Sequence, residues 1–257
     1  MHAETLKSKL SRSQFTLGSW ITLAHPAIAE IMSRAGFDWL AVDLEHSVIT
    51  IREAEELIRV VQLSGVCPLV RLSANDPIQI KRIMDGGAHG VIVPMVNSVS
   101  DAEQAVKAVR YPPEGKRGVG LARAQGYGSS FDPYKEWIDR ESVVIVQVEH
   151  IEAVNNLEAI LSVDGVDGFI VGPYDLSGSL GIPGQFDHPA MKEAMESIKS
   201  IGVASVKAFG IHIIEPSIKE LQQRVDEGYN FVAYSLDIRM LDRACRSGLD
   251  AVRSGMG

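Results

Sequence analysis

Cysteine is scarce: the 257 residues contain only Cys67 and Cys245. They are far apart and fit neither a disulfide framework nor a zinc pattern. Positive charge is also short. Lys plus Arg number 25 against 33 Asp plus Glu, a formal net charge of −8, which argues against nucleic acid or an anionic membrane as the main partner. A small anionic substrate stays compatible with that balance, because a few arginines can dominate a cleft. No window approaches the ~20 apolar residues of a membrane span. The opening MHAETLKSKLSRSQ is polar and mixed in charge, without the apolar stretch of a signal peptide. The cytoplasm is therefore the expected compartment. No linker interrupts the chain, so a single domain over residues 1–257 is expected.

What is present is a rhythm. With 46% hydrophobic and 23% charged residues, the chain has the composition of an ordinary globular protein with ample core. Eight short runs rich in Val and Ile recur: Phe15–Ile21, Phe37–Glu45, Cys67–Leu72, Gly90–Met95, Val143–Glu149, Val166–Gly172, Val206–Ile213 and Phe231–Leu236. They show little polar alternation, which suits parallel strands covered on both faces. Amphipathic segments lie between them. Thr50 caps one, Asn75 or Asp76 with Pro77 opens another, and Ser100 with Glu103 reads as a capping box. Further helices are expected after Glu149, His188, Glu215 and Asp237. Eight strand-then-helix units predict a (β/α)₈ TIM barrel, with a doubly wound sheet as the alternative. The irregular stretch Tyr111–Ser130 is expected to be a loop excursion or a subunit contact.

In such a barrel, functional groups collect at the C-terminal ends of the strands. The segment WLAVDLEHSV ends an apolar run with Asp43, Glu45 and His46. Arg71 ends the third run, Gln147 and Glu149 end the fifth, and Asp175 follows the sixth in VGPYDLSGS. Gln147 and Glu149 are two apart and project from one face of a strand, where burial without partners is costly. A metal or a bound ligand would supply those partners. Taken singly, a strand-end Glu is commonly a cap or an ion-pair partner. A His near a carboxylate is structural about as often as catalytic, and a strand-end Arg commonly pairs with a neighbouring acid. Their joint occurrence on four strands of one rim suits metal-assisted chemistry on an anionic carbonyl compound. Gly118, Gly120, Gly126 and Gly128 lack Walker or Rossmann spacing. His212 reads as a satisfied core histidine. Lys207 reads as snorkelling from the barrel bottom rather than as a Schiff-base lysine.

The blocks GFDWLAVDLEH, PLVRLSANDPIQIKRIMDGGAHGVIVPMV, AVRYPPEGKRGVG, VQVE and VDGVDGFIVGPYDLSGSLG resemble, in that order, the HpcH/HpaI family of class II, metal-dependent pyruvate aldolases. The likeness, to 4-hydroxy-2-oxoheptanedioate and 2-dehydro-3-deoxyglucarate aldolases, runs from about Phe15 to Cys245. It implies a homo-oligomer, hexamer or trimer, with the C-terminal helix exchanged between subunits. It also implies a divalent metal (Mg²⁺, Mn²⁺ or Co²⁺) held by Glu149 and Asp175 and completed by water and substrate. Matched position by position, His46 would be the general base, acting through metal-bound water. Asp85 would raise that base's proton affinity, and Asp43 would help orient it. Arg71 would stabilise the enolate and the developing alkoxide. Gln147 and the turn Gly172-Pro173-Tyr174-Asp175 would bind substrate, Tyr174 through its backbone N–H. A pyruvyl group can chelate one metal through its carboxylate and keto oxygens, and carboxylate ligands favour these ions over a structural zinc.

The expected reaction is reversible retro-aldol cleavage of a 4-hydroxy-2-oxo acid to pyruvate and an aldehyde. The alternatives are related enolate chemistry, such as citrate-synthase-like condensation or oxaloacetate decarboxylation, and a non-catalytic keto-acid-binding barrel. VKAFGIHIIEP, FVAYSLDIRML and RAQGYGSS depart from the pattern of the dicarboxylate aldolases. These segments border the aldehyde half of the pocket, which leaves the acceptor open, as is the question of whose site Arg123 reaches.

Overall fold

The computed structural model describes residues 4–254, without the side chains of residues 251 and 254. Eight parallel strands close a barrel in sequence order: β1 (Thr16–Ile21), β2 (Trp39–Asp43), β3 (Cys67–Arg71), β4 (Gly90–Val93), β5 (Val143–Val148), β6 (Gly168–Val171), β7 (Ala208–Ile213) and β8 (Phe231–Leu236). Each falls inside one of the eight apolar runs. Around them lie α1 (Leu6–Ser11), α2 (Pro26–Ser33), α3 (Ile51–Leu63), α4 (Pro77–Asp85), α5 (Val99–Val109) and α6 (Phe131–Glu141). The series continues with α7 (Ile151–Asn155), α8 (Leu157–Leu161), α9 (Pro173–Ser179), α10 (Pro189–Ala204), α11 (Ile218–Asp226) and α12 (Asp237–Ser254). Among the described residues no helix is long and apolar enough to cross a membrane.

The period of two along each strand divides the core. Trp20, Trp39, Ala41, Leu69, Ile92, Ile145, Ile170, Phe231 and Ala233 fill the barrel interior, and Leu6 and Leu10 of α1 join them. Their alternates, such as Leu40, Val42, Val70, Val91 and Val146, pack outward under the helices. Gly18 is required inside: a Cβ there would stand 2.0 Å from the Trp39 ring. One step above this apolar filling, the inner faces carry Asp43, Arg71, Gln147 and His212.

The helix starts follow side-chain capping. Thr50 and Glu53 form a capping box, and Asp76 accepts the N–H groups of Ile78 and Gln79 ahead of Pro77. The cap of α5 is Ser98, not Ser100: Ser98 accepts the Asp101 N–H at 3.2 Å, and Asp101 accepts the Ser98 N–H at 2.9 Å. The Ser-x-x-acid spacing occurs twice. Ser98 is the serine still in extended backbone, as a cap must be. Lys207 precedes β7 and donates Nζ to the Val166 carbonyl at 2.8 Å, at the N-terminal end of the barrel as expected.

Candidate active site

Asp43 is buried where β2 ends. Its Oδ1 accepts the backbone N–H groups of Glu45 at 3.0 Å and His46 at 3.3 Å, so the carboxylate itself turns the chain out of the sheet. Arg71, at the same level on β3, donates Nε to Oδ1 at 2.8 Å and Nη2 to Oδ2 at 2.6 Å. The guanidinium lies 4.3 Å from the Trp20 ring centroid, a cation–π contact. Burial pushes the Asp43 carboxyl up, but Arg71 and the two backbone N–H groups together hold it below the ordinary carboxylate value.

Across the mouth, Gln147 and Glu149 are 3% and 2% exposed. Gln147 Nε2 donates to Glu45 Oε2 at 3.0 Å and also to Glu149 Oε2. Glu149 Oε1 accepts the Met95 N–H at 2.7 Å. Burial, with the nearby carboxylates of Glu45 and Asp175, pushes Glu149 up to about 7, against the hydrogen bonds from Gln147 and Met95. Burial likewise raises Glu45, with Arg71 opposing it. Gly172 leaves the space beside Glu149: a Cβ there would stand 3.2 Å from Oε2. The chain then enters α9 through Pro173, with Asp175 in the first turn and exposed at the mouth.

These carboxylates influence one another, and the cation among them, Arg71, is already committed to Asp43. An oxygen-only, electron-rich set with room at Gly172 fits a hard divalent cation. Among the described residues no three His, Cys, Asp or Glu side chains form a metal cage. A cation here would therefore need ligands from water and substrate beyond the carboxylates at this mouth.

His46 stands at the mouth with its side chain 60% exposed and its Nε2 3.9 Å from Glu45 Oε2. Asp85 is elsewhere. It ends α4, close to His89, whose backbone bonds to Pro68 in β3 and Val143 in β5, so it lies on the N-terminal rim. There its Oδ1 accepts Arg117 Nη2 at 2.5 Å. A helix running back between parallel strands must end at the bottom, so one chain does not bring Asp85 to its own His46. Arg123 is at that end too, donating to the Gly86 carbonyl at 3.0 Å and to Gln62 at 2.6 Å. The Tyr174 ring is exposed and meets Phe186 edge-on at 4.8 Å.

Three residues at the mouth were given no site role in the sequence. Glu45 was named with Asp43 and His46 where the second apolar run ends, but without a role of its own. Trp20 carries no signal outside its apolar run. His212, read as a core histidine, has its ring 5.6 Å from Trp20, and among the described residues its buried Nε2 has no hydrogen-bond partner.

Residues 16–244 match the family model described as HpcH/HpaI aldolase/citrate lyase. The chain belongs to this family. It is a carbon–carbon lyase of the aldolase kind. This HpcH/HpaI chain is similar to the hydroxypyruvate/pyruvate aldolase of Roseobacter denitrificans, with 41% identity over 240 residues, 92% of each chain. It is 38% identical over 256 residues to the 4-hydroxy-2-oxo-heptane-1,7-dioate aldolase of Salmonella arizonae, covering 97% of this chain and 96% of that one. Its fold matches the crystal structure of an HpcH/HpaI aldolase/citrate lyase family protein from Burkholderia cenocepacia. The TM-score is 0.91 at 34% identity, covering 96% of this chain and 98% of that one.

Proposed function

We propose that this enzyme catalyses divalent-metal-dependent, reversible cleavage of a 4-hydroxy-2-oxo acid to pyruvate and an aldehyde. The observation that carries this reading is the buried Glu149 carboxylate, grouped with Glu45 and Asp175 beside a guanidinium fixed by Asp43. Glu149 and Asp175 would hold Mg²⁺, Mn²⁺ or Co²⁺, which when bound supplies Lewis-acid polarisation of the 2-oxo acid. Gln147 and the first-turn N–H groups of Tyr174 and Asp175, which have no intrahelical acceptor, suit the substrate carboxylate. In cleavage, His46 takes the proton of the 4-hydroxyl group. The C3–C4 bond breaks, C4 becomes the aldehyde carbon, and a proton delivered to C3 completes pyruvate. Glu45 Oε2, 3.9 Å from His46 Nε2, helps to orient the ring. Arg71, held by Asp43 and Trp20, offsets the charge that develops on oxygen.

A homo-oligomer, trimer or hexamer, with α12 exchanged between neighbours is part of the same reading. Ile238, Leu241, Cys245, Leu249 and Val252 recur at intervals of three and four on α12, all exposed, which leaves an amphipathic face to be covered. Light scattering on Leu241→Lys, which should shift the protein to a smaller species, tests that part. The partners are small molecules and the setting is cytoplasmic.

Proton exchange at the methyl group of pyruvate in D₂O, followed by NMR, tests the chemistry without an aldehyde. Exchange should require Mg²⁺, Mn²⁺ or Co²⁺, stop with EDTA, and be absent in folded Glu149→Ala. No exchange with any of these metals in a folded, metal-binding sample would overturn the reading. Incubation with oxaloacetate, with and without an aldehyde or acyl thioester, separates aldol chemistry from decarboxylation and citrate-synthase-like condensation.

A further inference from the structure

We infer that Met95 is a positioning residue, whose strained backbone aims an N–H at Glu149 and so fixes which carboxylate oxygen a divalent cation meets. The inference rests on the reading of Glu149 as a metal ligand and extends it to the segment that orients that ligand.

Met95 follows β4 as Glu149 follows β5, the strand paired with it. Its φ is +52°, in the left-handed region that a residue with a Cβ rarely adopts. Packing of the side chain does not impose this, because Met95 is 50% exposed. The flanks do. Pro94 is buried at the end of β4, and Val96 is fully buried in the core beneath the helices. The Asn97 carbonyl accepts Asn156 Nδ2 at 2.8 Å. Asp101 Oδ2 accepts the N–H groups of Asn97 at 3.2 Å and Ser98 at 2.9 Å. One flank is tied to the barrel and the other to the cap of α5, so Met95 absorbs the turn between them. Strain held in place by its surroundings collects at functional sites.

The turn delivers one hydrogen bond. The Met95 N–H reaches Glu149 Oε1 at 2.7 Å. With both flanks anchored, an extended or right-handed φ would rotate the Pro94–Met95 peptide plane and turn that N–H away. The backbone thus occupies Oε1. Oε2 is the oxygen left beside Gly172, where a Cβ would stand 3.2 Å from it. Gln147 also donates to Oε2, but it has a second acceptor in Glu45 Oε2 at 3.0 Å and can give way to a cation. A bond from N–H to an ionised carboxylate is among the stronger hydrogen bonds, and here it sets the rotation of the ligand in advance. Partners that orient metal ligands typically govern about ten- to a hundredfold in affinity.

The test measures Mn²⁺ binding to the full-length protein, first stripped with EDTA, by titration calorimetry, with melting temperatures alongside. The substitutions differ in their tolerance of the left-handed region. Met95→Gly and Met95→Asn tolerate it and should bind Mn²⁺ within about twofold of wild type. Met95→Val and Met95→Thr share a branched Cβ but not polarity, and both should bind at least about tenfold more weakly. Asp101→Ala leaves Met95 in place but frees one flank, and should weaken binding in the same direction. A merely structural Met95 would move the melting temperatures and leave the Mn²⁺ affinity constant. Wild-type affinity in folded Met95→Val and Met95→Thr, or in Asp101→Ala should those variants not fold, would overturn the inference. So would affinities that follow side-chain size or polarity instead of backbone tolerance. Failure of the underlying reading looks different. A wild type that binds no Mn²⁺, or a Glu149→Ala variant that binds it as tightly as wild type, removes Glu149 as a ligand and takes this inference with it.

Discussion

Arg71 and Asp43 face each other at the same level of adjacent strands and share two hydrogen bonds of 2.8 and 2.6 Å. Because Asp43 is buried and also accepts the N–H groups of Glu45 and His46, one carboxylate fixes both the guanidinium and the turn that carries His46. Asp43→Asn should lower kcat about a hundredfold by loosening a charge-stabilising group. It should also cost about 3 kcal/mol of stability, since it leaves a largely buried guanidinium without its counter-charge. Steady-state kinetics with urea unfolding would check both. Near-normal kcat with lost stability would confine the pair to a structural role.

Glu149 gives the metal-free protein a definite pH response. Its folded pKa of about 7 exceeds the unfolded carboxylate value, so the folded state holds the proton more tightly. The stability it contributes is full below about pH 4.5 and is lost as pH rises through 7, by up to ~3 kcal/mol. Glu149→Gln should therefore unfold at a higher temperature than wild type at pH 8 in EDTA, and should lose the stabilisation that Mn²⁺ gives wild type. Calorimetry at pH 5 and pH 8 decides it; a lower melting temperature for the variant at pH 8 would contradict the sign.

Two histidines act in the opposite direction. Burial lowers His89 and His212 to about 4 each, with Arg123 and Arg71 adding to the effect. The unfolded chain then binds protons first, so their contribution is intact above about pH 6.5 and is lost as pH falls toward 4. His89→Gln should flatten the acid side of the stability curve while leaving pH 8 little changed. Urea midpoints between pH 4 and 8 measure this.

Asp85 sits on the rim opposite His46, paired with Arg117. If it serves a His46, that histidine belongs to another copy. Co-refolded mixtures of Asp85→Asn and His46→Ala should regain part of the activity that each lacks alone, because some sites then combine an intact Asp85 with an intact His46. Mixtures as inactive as the separate variants would remove Asp85 from the mechanism.

The barrel was readable because parallel strands buried on both faces leave uninterrupted Val and Ile runs, and all eight fall where those runs lie. The α5 cap was displaced by two residues because Ser98-x-x-Asp101 and Ser100-x-x-Glu103 satisfy one spacing, and only backbone geometry separates them. Gln147, Glu149 and Arg71 were visible as polar residues ending apolar runs. Trp20 and His212 were not, since nothing local tells a strand residue facing a reacting centre from one facing core. Which rim Asp85 occupies was not legible either: its partner Arg117 lies 32 residues on, and no local pattern reports which end of a barrel a helix terminus reaches.

Asp43 stands two residues beyond Ala41, Arg71 two beyond Leu69, and Gln147 two beyond Ile145, each pair sharing one inner strand face. Two residues along a strand are about 7 Å. Reactivity therefore occupies a single stratum laid on an apolar floor, and the same backbone ladder anchors both. Substitutions in the stratum can redirect the reaction while the floor keeps the barrel closed, whereas a change one rung down is felt as unfolding. A lineage of such barrels can diversify its substrates from this layer and the loops above it, with the closure of the fold inherited unchanged.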